Sequence, residues 1–161
     1  MRNKQKIVGL AALKKIVRLG RKNGRRIAFT NGCFDILHYG HIRYLQKAKR
    51  ADRILIVGVN SDSSVKELKG AQRPVNPQHA RAAVLAALEC VDYVTIFSES
   101  TPTRLIAAIK PDILIKGADW KGKAVAGSDL VRSTGGKIEF VPFIEGFSST
   151  GLIDALKKQC G

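Results

Sequence analysis

The sequence predicts a three-layer α/β sandwich, a mainly parallel sheet of five or six strands with helices on both faces. Three observations carry this. Short apolar runs rich in β-branched residues, best seen in Arg53-Ile54-Leu55-Ile56-Val57-Gly58-Val59, suit strands buried on both faces of a parallel sheet. These runs alternate with stretches of helical spacing, and strand–helix alternation requires a parallel sheet with right-handed crossovers. The length of 161 residues and the hydrophobic fraction of 45% fit one domain with an ordinary buried core.

Residues 4–22 read as an amphipathic helix, with Leu10, Leu13, Ile16 and Val17 at helical spacing among Lys14, Lys15 and Arg18. We expect it to dock on the domain, as a segment spanning 1–24, and to end at Gly20 and Gly24; the core is then 25–161. The run Ile27-Ala28-Phe29 is the first strand, and Thr30-Asn31-Gly32 breaks it into a tight loop. A helix opens at His38-Tyr39-Gly40-His41 and runs to about Arg50. The strand Arg53–Val59 ends in Asn60-Ser61-Asp62, polar groups at a strand's carboxyl end, where open α/β sheets bind ligands. A short helix to Leu68 leads into the basic loop Lys69-Gly70-Ala71-Gln72-Arg73-Pro74. A helix from Pro77 to Cys90 follows, with proline near its first turn. Strand Tyr93–Phe97, helix Thr101–Ile109, strand Asp112–Lys116, a helix near Gly127–Ser133, strand Lys137–Pro142 and a helix from Ser148 complete the chain. There is no internal repeat and no linker, so residues 1–161 are expected to form a single domain.

No segment approaches the roughly 20 apolar residues that cross a bilayer. The N-terminal apolar run, Ile7 to Leu13, stops at Lys14-Lys15 without a cleavage site, which leads us to expect a cytoplasmic protein. Cys33, Cys90 and Cys160 are odd in number and far apart, so neither a disulfide framework nor a protein-held metal is expected. The net charge of +15 has three readings: nucleic-acid binding, steering of small polyanions, or a solvated basic surface. Read as spread along the chain and poor in interleaved aromatics, it favours small anions over a specific nucleic acid or a membrane.

The stretch Phe29 to His41, F-T-N-G-C-F-D-I-L-H-Y-G-H, concentrates the chemistry. Two histidines three apart at a helix start share one face. Gly40 between them carries no side chain and would let a ligand approach the backbone. Free N–H groups and the helix dipole there favour an anion. This stretch resembles the H-x-G-H motif of the nucleotidyltransferase superfamily, which joins a nucleoside triphosphate to a phosphate and releases pyrophosphate. A second glycine-rich segment, Gly117 to Ala124, fits G-x-x-x-x-G-K, but Ala124 stands where a P-loop needs Ser or Thr. No G-x-G-x-x-G fingerprint occurs.

The resemblance runs from about Ile7 to Lys157 and is to the adenylyltransferase half of the bifunctional heptose kinase/adenylyltransferases and to stand-alone versions of that half. It rests on T-N-G-C-F-D-I-L-H, V-G-V-N-S-D, L-K-G-A-Q-R-P-V-N-P, A-A-L-E-C-V-D-Y-V, P-D-I-L-I-K-G-A-D-W and E-G-F-S-S-T. It implies a Rossmann-like fold and conversion of D-glycero-D-manno-heptose 1-phosphate and ATP into ADP-heptose and pyrophosphate, with magnesium carried by the nucleotide. The product would feed lipopolysaccharide core or another surface glycan. Because 161 residues leave no room for the kinase-like domain, a separate heptose kinase upstream is expected, and a homo-oligomer is left open. The chain departs from the family at Lys116-Gly117-Ala118-Asp119-Trp120, commonly K-G-G-D-Y, and at Ser148-Ser149-Thr150, usually S-T-T. Glycerol-phosphate cytidylyltransferases share a G-D-D-W-like stretch. They place an arginine before the late motif, whereas Val141 to Gly146 contains none, which argues against CTP.

The resemblance implies catalytic roles for His38, His41 and Lys69. It implies nucleotide binding by Thr30, Asn31, Gly32, Cys33, Phe34, Gly40, Lys116, Gly117, Asp119, Ser148, Ser149 and Thr150, and substrate binding by Asp35, Asn60, Asp62, Arg73 and Arg81. Plain structural readings stand beside these. Ser148-Ser149-Thr150 can simply cap a helix, Asp35 can fix its loop by hydrogen bonds, and Arg73 and Arg81 can be solvated charges. Cys33 is expected to contribute backbone and packing, and Trp120 can be a core residue. A sugar phosphate is already an oxyanion, so its attack needs no general base, and catalysis reduces to positioning and electrostatics.

Overall fold

Strand β1 (Arg26–Gly32) lies at the centre of a five-stranded sheet with β2 (Arg53–Asn60), β3 (Tyr93–Phe97), β4 (Ile113–Gly117) and β5 (Lys137–Val141). The computed structural model describes residues 6–142, 144 and 146–160. Strand order is β3-β2-β1-β4-β5 and every neighbouring pair is parallel. Among the described residues seven α-helices accompany the strands: α1 (Leu10–Lys22), α2 (Tyr39–Ala48), α3 (Asp62–Lys69), α4 (Gln78–Ala87), α5 (Thr103–Ile109), α6 (Ser128–Ser133) and α7 (Ser149–Cys160). The architecture is Rossmann-like, as expected.

Strand side chains alternate between two cores, which is what makes the fold three-layered. Ala28, Leu55, Val57, Val59, Ile113 and Ile115 face Tyr44 and Leu45 of α2 and Leu85 of α4. Ile27, Phe29, Ile56 and Leu114 face Leu13 and Val17 of α1, Ile106 and Ile109 of α5, and Val131 of α6.

The N-terminal segment differs from expectation. Its helix begins at Leu10 rather than near Lys4, because Gly9 interrupts it and the β-branched Ile7 and Val8 run extended instead. Ile7 bridges Val94 in parallel, with Val8 N donating to Val94 O at 2.9 Å and Val94 N to Lys6 O at 2.8 Å, a short sixth rung at the β3 edge. Residues 4 and 5, included in the expected helix, lie outside the described residues. Gly20 does not end α1. It is buried inside the helix, where a Cβ would come within 2.5 Å of Ile54 Cδ1, so glycine allows α1 to approach β2 closely. The buried stripe is Leu13, Val17 and Gly20, while Leu10 is exposed.

The strand order reverses between β1 and β4, the switch point where open α/β sheets bind ligands. β1 pairs with β2 along its whole length but with β4 only at Ala28–Ile113 and Phe29–Leu114. Beyond Phe29 the two central strands part, and the H-x-G-H loop leaves β1 at that opening.

Candidate active site

The loop after β1 is tightly built. Phe34 has φ 46°, a left-handed conformation that is uncommon for a bulky residue and characteristic of functional sites. Its ring lies over Gly32, where a Cβ would sit 3.1 Å away, and tilts against His41 with ring centroids 5.1 Å apart. His38 is the N-cap of α2 and its ring stacks on His41, centroids 3.8 Å apart and planes 24° from parallel. Phe147 stacks on the other side of His38 at 6.4 Å and meets Tyr39 edge-on. Gly40 favours this packing: a Cβ there would sit tightly, 3.1 Å from His38 Nδ1 and 3.2 Å from Phe147 Cβ. The space expected for a ligand over Gly40 is therefore filled by the His38 ring and Phe147.

The pair is asymmetric. His41 lines a cleft of about 440 Å³ and His38 does not; Nδ1 of each ring is buried and unpartnered among the described residues. Burial, then His38, then Lys69 push the His41 imidazole down to about 4, against a smaller opposing pull from the Ile36 backbone. Burial also lowers His38. His41 is thus neutral at physiological pH and offers a hydrogen bond without a charge.

Cations reach the cleft from two sides. Lys116, at the end of β4, donates to Asn31 Oδ1 at 2.6 Å across the opening, and its ammonium lies 5.6 Å from the centre of the Trp120 ring. Burial pushes it down to about 8, with Asp119 opposing. Lys69 ends α3 and lines the cleft without a hydrogen-bond or ion-pair partner among the described residues. Asn31, Gly32, Cys33, Phe34, Asn60, Gly117 and Ser149 complete the expected set found there. Burial raises the Cys33 thiol, consistent with packing rather than thiolate chemistry.

Other expected residues lie elsewhere. Thr30 is buried beneath the floor, sharing a 2.8 Å hydrogen bond with the Tyr44 hydroxyl, so it positions a cleft residue and cannot itself meet a nucleotide. Arg81 is neither a surface charge nor free to bind a phosphate. It is buried, and its three nitrogens go to Asn76 O at 2.9 Å, Cys33 O at 2.5 Å and Asp62 Oδ1 at 2.8 Å. Asp62 is thereby paired and does not line the cleft. Asp35 borders the cleft, but its oxygens accept from Arg73 Nε at 2.6 Å, Val75 N at 2.8 Å and Asn76 N at 3.0 Å. Burial alone would raise its carboxyl; those backbone donors and the Arg73 guanidinium outweigh this and hold it below the usual range. Asp35 and Arg73 therefore anchor the loop of residues 70–76 in this structure. Asn60 Nδ2 donates to Ser64 Oγ at 2.9 Å. Ser148 caps α7 through Gly151 N at 2.9 Å, and Ser149 Oγ donates to Ile36 O at 3.0 Å. Thr150 and Asp119 are exposed at the rim, and Glu145 of the late motif lies outside the described residues. Gly117 to Ala124 forms a 3-10 turn at Ala118–Trp120 and no P-loop helix.

Sequence reasoning missed Tyr44, Leu68, Ser100-Thr101-Pro102 and Ala126, all in the cleft wall. Ser100-Thr101-Pro102 follows the carboxyl end of β3, and the same strand-end rule that singled out Asn60 would have found it.

Fold and cleft define a parallel α/β domain with a lysine-lined cleft at the switch point of its sheet, and comparison with known proteins gives its family. The cytidylyltransferase-like family model matches residues 29–149. The chain belongs to this family and is a nucleotidyltransferase. It is 57% identical over 136 residues to the bifunctional protein HldE of Nitratiruptor sp., covering 84% of this chain and 29% of that one. It is 49% identical over 156 residues to HldE of Geobacter metallireducens, covering 97% and 32%, and 54% identical over 144 residues to HldE of Campylobacter jejuni, covering 89% and 30%. The chain thus spans about a third of the length of these relatives. A lipopolysaccharide core biosynthesis protein from Thermoplasma volcanium superposes with a TM-score of 0.61 at 28% identity, covering 75% of this chain and 98% of that one. Among the described residues no helix is long and apolar enough to cross a membrane.

Proposed function

We propose that this chain transfers the AMP part of ATP to D-glycero-D-manno-heptose 1-phosphate, giving ADP-heptose and pyrophosphate for lipopolysaccharide core or another surface glycan. The observation that carries the chemistry is the convergence of neutral His41, Lys69 and Lys116 on one cleft at the switch point of the sheet. The choice of sugar is supported by 49–57% identity to the HldE proteins over most of the chain.

In this reading a sugar-phosphate oxygen attacks the α-phosphorus, the bond from that phosphorus to the bridging oxygen breaks, and pyrophosphate carries the electron pair away. The barrier is the meeting of two anions and the charge shifted onto the leaving group. His41 donates its N–H to the triphosphate as charge moves, and Lys69 and Lys116 offset the negative charge from opposite walls. His38 acts through His41, fixing its ring by stacking. Asn31 holds Lys116, and Gly32, Gly117 and Ser149 leave room for the nucleotide. Magnesium bound to the nucleotide would supply further positive charge against its phosphates. A kinase acting on the sugar supplies the 1-phosphate, and the reaction belongs in the cytoplasm, where ATP is.

The test is a pyrophosphate-release panel crossing four nucleoside triphosphates with several sugar and polyol phosphates. ATP with heptose 1-phosphate and magnesium should turn over fastest. A faster reaction with CTP and glycerol 3-phosphate would overturn the substrate assignment.

A further inference from the structure

The positive charge is far less evenly spread than a reading along the chain suggests. The first 34 residues hold ten of the 28 lysines and arginines and none of the 13 acidic residues, so they carry +10 of the net +15. The first carboxylate of the chain is Asp35, and it is buried under Arg73.

The structure sets four of these cations on one face of α1. Opposite the buried stripe of Leu13, Val17 and Gly20, α1 presents Lys14, Lys15, Arg18 and Lys22, all exposed. Positions 14, 18 and 22 follow one another up the helix at four-residue spacing, and 15 flanks them, so the four cations form one ridge. None of these four side chains has a hydrogen-bond or ion-pair partner among the described residues, whereas Arg21 and Arg25 are spent on backbone carbonyls. Leu10 and Leu19 stand exposed beside the ridge, 43% and 55% accessible.

We propose that this face of α1 docks on an anionic lipid surface. The charge is complementary, uninterrupted by acidic groups and unpartnered. The long Lys and Arg stems can lie along a headgroup layer while their ends meet phosphates. The exposed leucines give a lipid surface something that a purely polar polyanion would not use. Nucleic acid is disfavoured because the ridge has no aromatic platform for bases. A protein partner is disfavoured because a convex ridge of lysines lacks the aromatic anchors of such interfaces. Docking leaves the chemistry free: α1 packs in the core layer on one face of the sheet, and α2, with the histidines, on the other.

Co-sedimentation with vesicles at physiological salt tests the proposal. Wild type should bind vesicles of phosphatidylcholine mixed with phosphatidylglycerol and ignore pure phosphatidylcholine. The triple variant Lys14→Glu/Lys15→Glu/Arg18→Glu should lose roughly 100-fold in partitioning, since each basic residue near such a surface is worth about a factor of five. A control with the same change in net charge, Lys47→Glu/Lys137→Glu/Lys158→Glu, should retain most of it. Leu19→Gln should weaken binding several-fold. Thermal melts and pyrophosphate release should match wild type for every variant that loses binding. Equal loss in the control would mean diffuse charge and overturn the proposal, as would indifference to Leu19→Gln. Tighter binding to oligonucleotides than to anionic vesicles, read by fluorescence anisotropy in the same buffer, would reassign the face to nucleic acid.

Discussion

At neutral pH His41 is an uncharged donor, held so by burial and by the cations around it. A neutral donor that strengthens its bond only as charge moves should appear in kcat rather than in KM. His41→Ala should lower kcat by roughly 10²–10³-fold, the scale for losing one oxyanion-hole donor. His41→Asn keeps an N–H and gives up no cation, so it should retain at least about ten times more activity than the alanine variant. Steady-state kinetics for ATP, beside a thermal melt of each variant, decide the matter. An asparagine variant as inactive as the alanine one, with both folded, would show that an imidazole is required for more than a donated hydrogen bond. The two histidines were legible in the sequence because H-x-G-H fixes a spacing. Their unequal access to the cleft was not, because it depends on Phe147, more than a hundred residues away, stacking beside His38.

Among elements, the loop of residues 70–76 and the H-x-G-H loop are held together by Asp35 and by a second side chain, Arg81. Arg81 bonds both carbonyls, Cys33 O and Asn76 O, and pairs with Asp62. Arg81→Met should cost on the order of 3 kcal/mol, because two part-buried carbonyls and a part-buried carboxylate lose their partner together and the buried guanidinium site is left without its bonds. Urea denaturation measures this, and a loss below about 1 kcal/mol would show that water or loop movement replaces the arginine. The strands were readable from apolar runs to within a few residues, and Tyr93–Phe97 was placed with both ends right. Helix ends were less readable. α4 stops at Ala87, not Cys90, and Lys6 reaches Leu88 O and Val91 O to hold the turn that follows. Arg81 was misjudged for a related reason. Helical spacing shows which face a residue occupies, and not which loop folds over that face.

At the scale of the whole molecule, the histidine environment sets an acid limit. A free histidine titrates near 6.5 and folded His41 near 4. Between those values the unfolded chain binds more protons, so stability falls as pH drops from about 7 towards 4 and then levels. The His41 contribution is roughly 3 kcal/mol at neutral pH. His38 adds in the same direction, and Asp35, held low, extends the loss to more acid conditions. Denaturation midpoints measured from pH 7.5 to pH 4 should show the slope, and His41→Asn should flatten it. An unchanged slope in that variant would place the acid sensitivity elsewhere.

The short pairing of β1 with β4 has a mechanical consequence. Besides two residue pairs, a three-stranded half, β3-β2-β1, and a two-stranded half, β4-β5, are joined by the Arg53–Glu139 ion pair, by two bonds between Ile27 and Asp112 and, at the cleft, by the Lys116–Asn31 bond. Each half brings its own wall to the cleft, Lys69 beyond β2 and Lys116 on β4. A triphosphate gripped by both lysines would act as a clasp across a seam, and its binding energy would count towards holding the halves together.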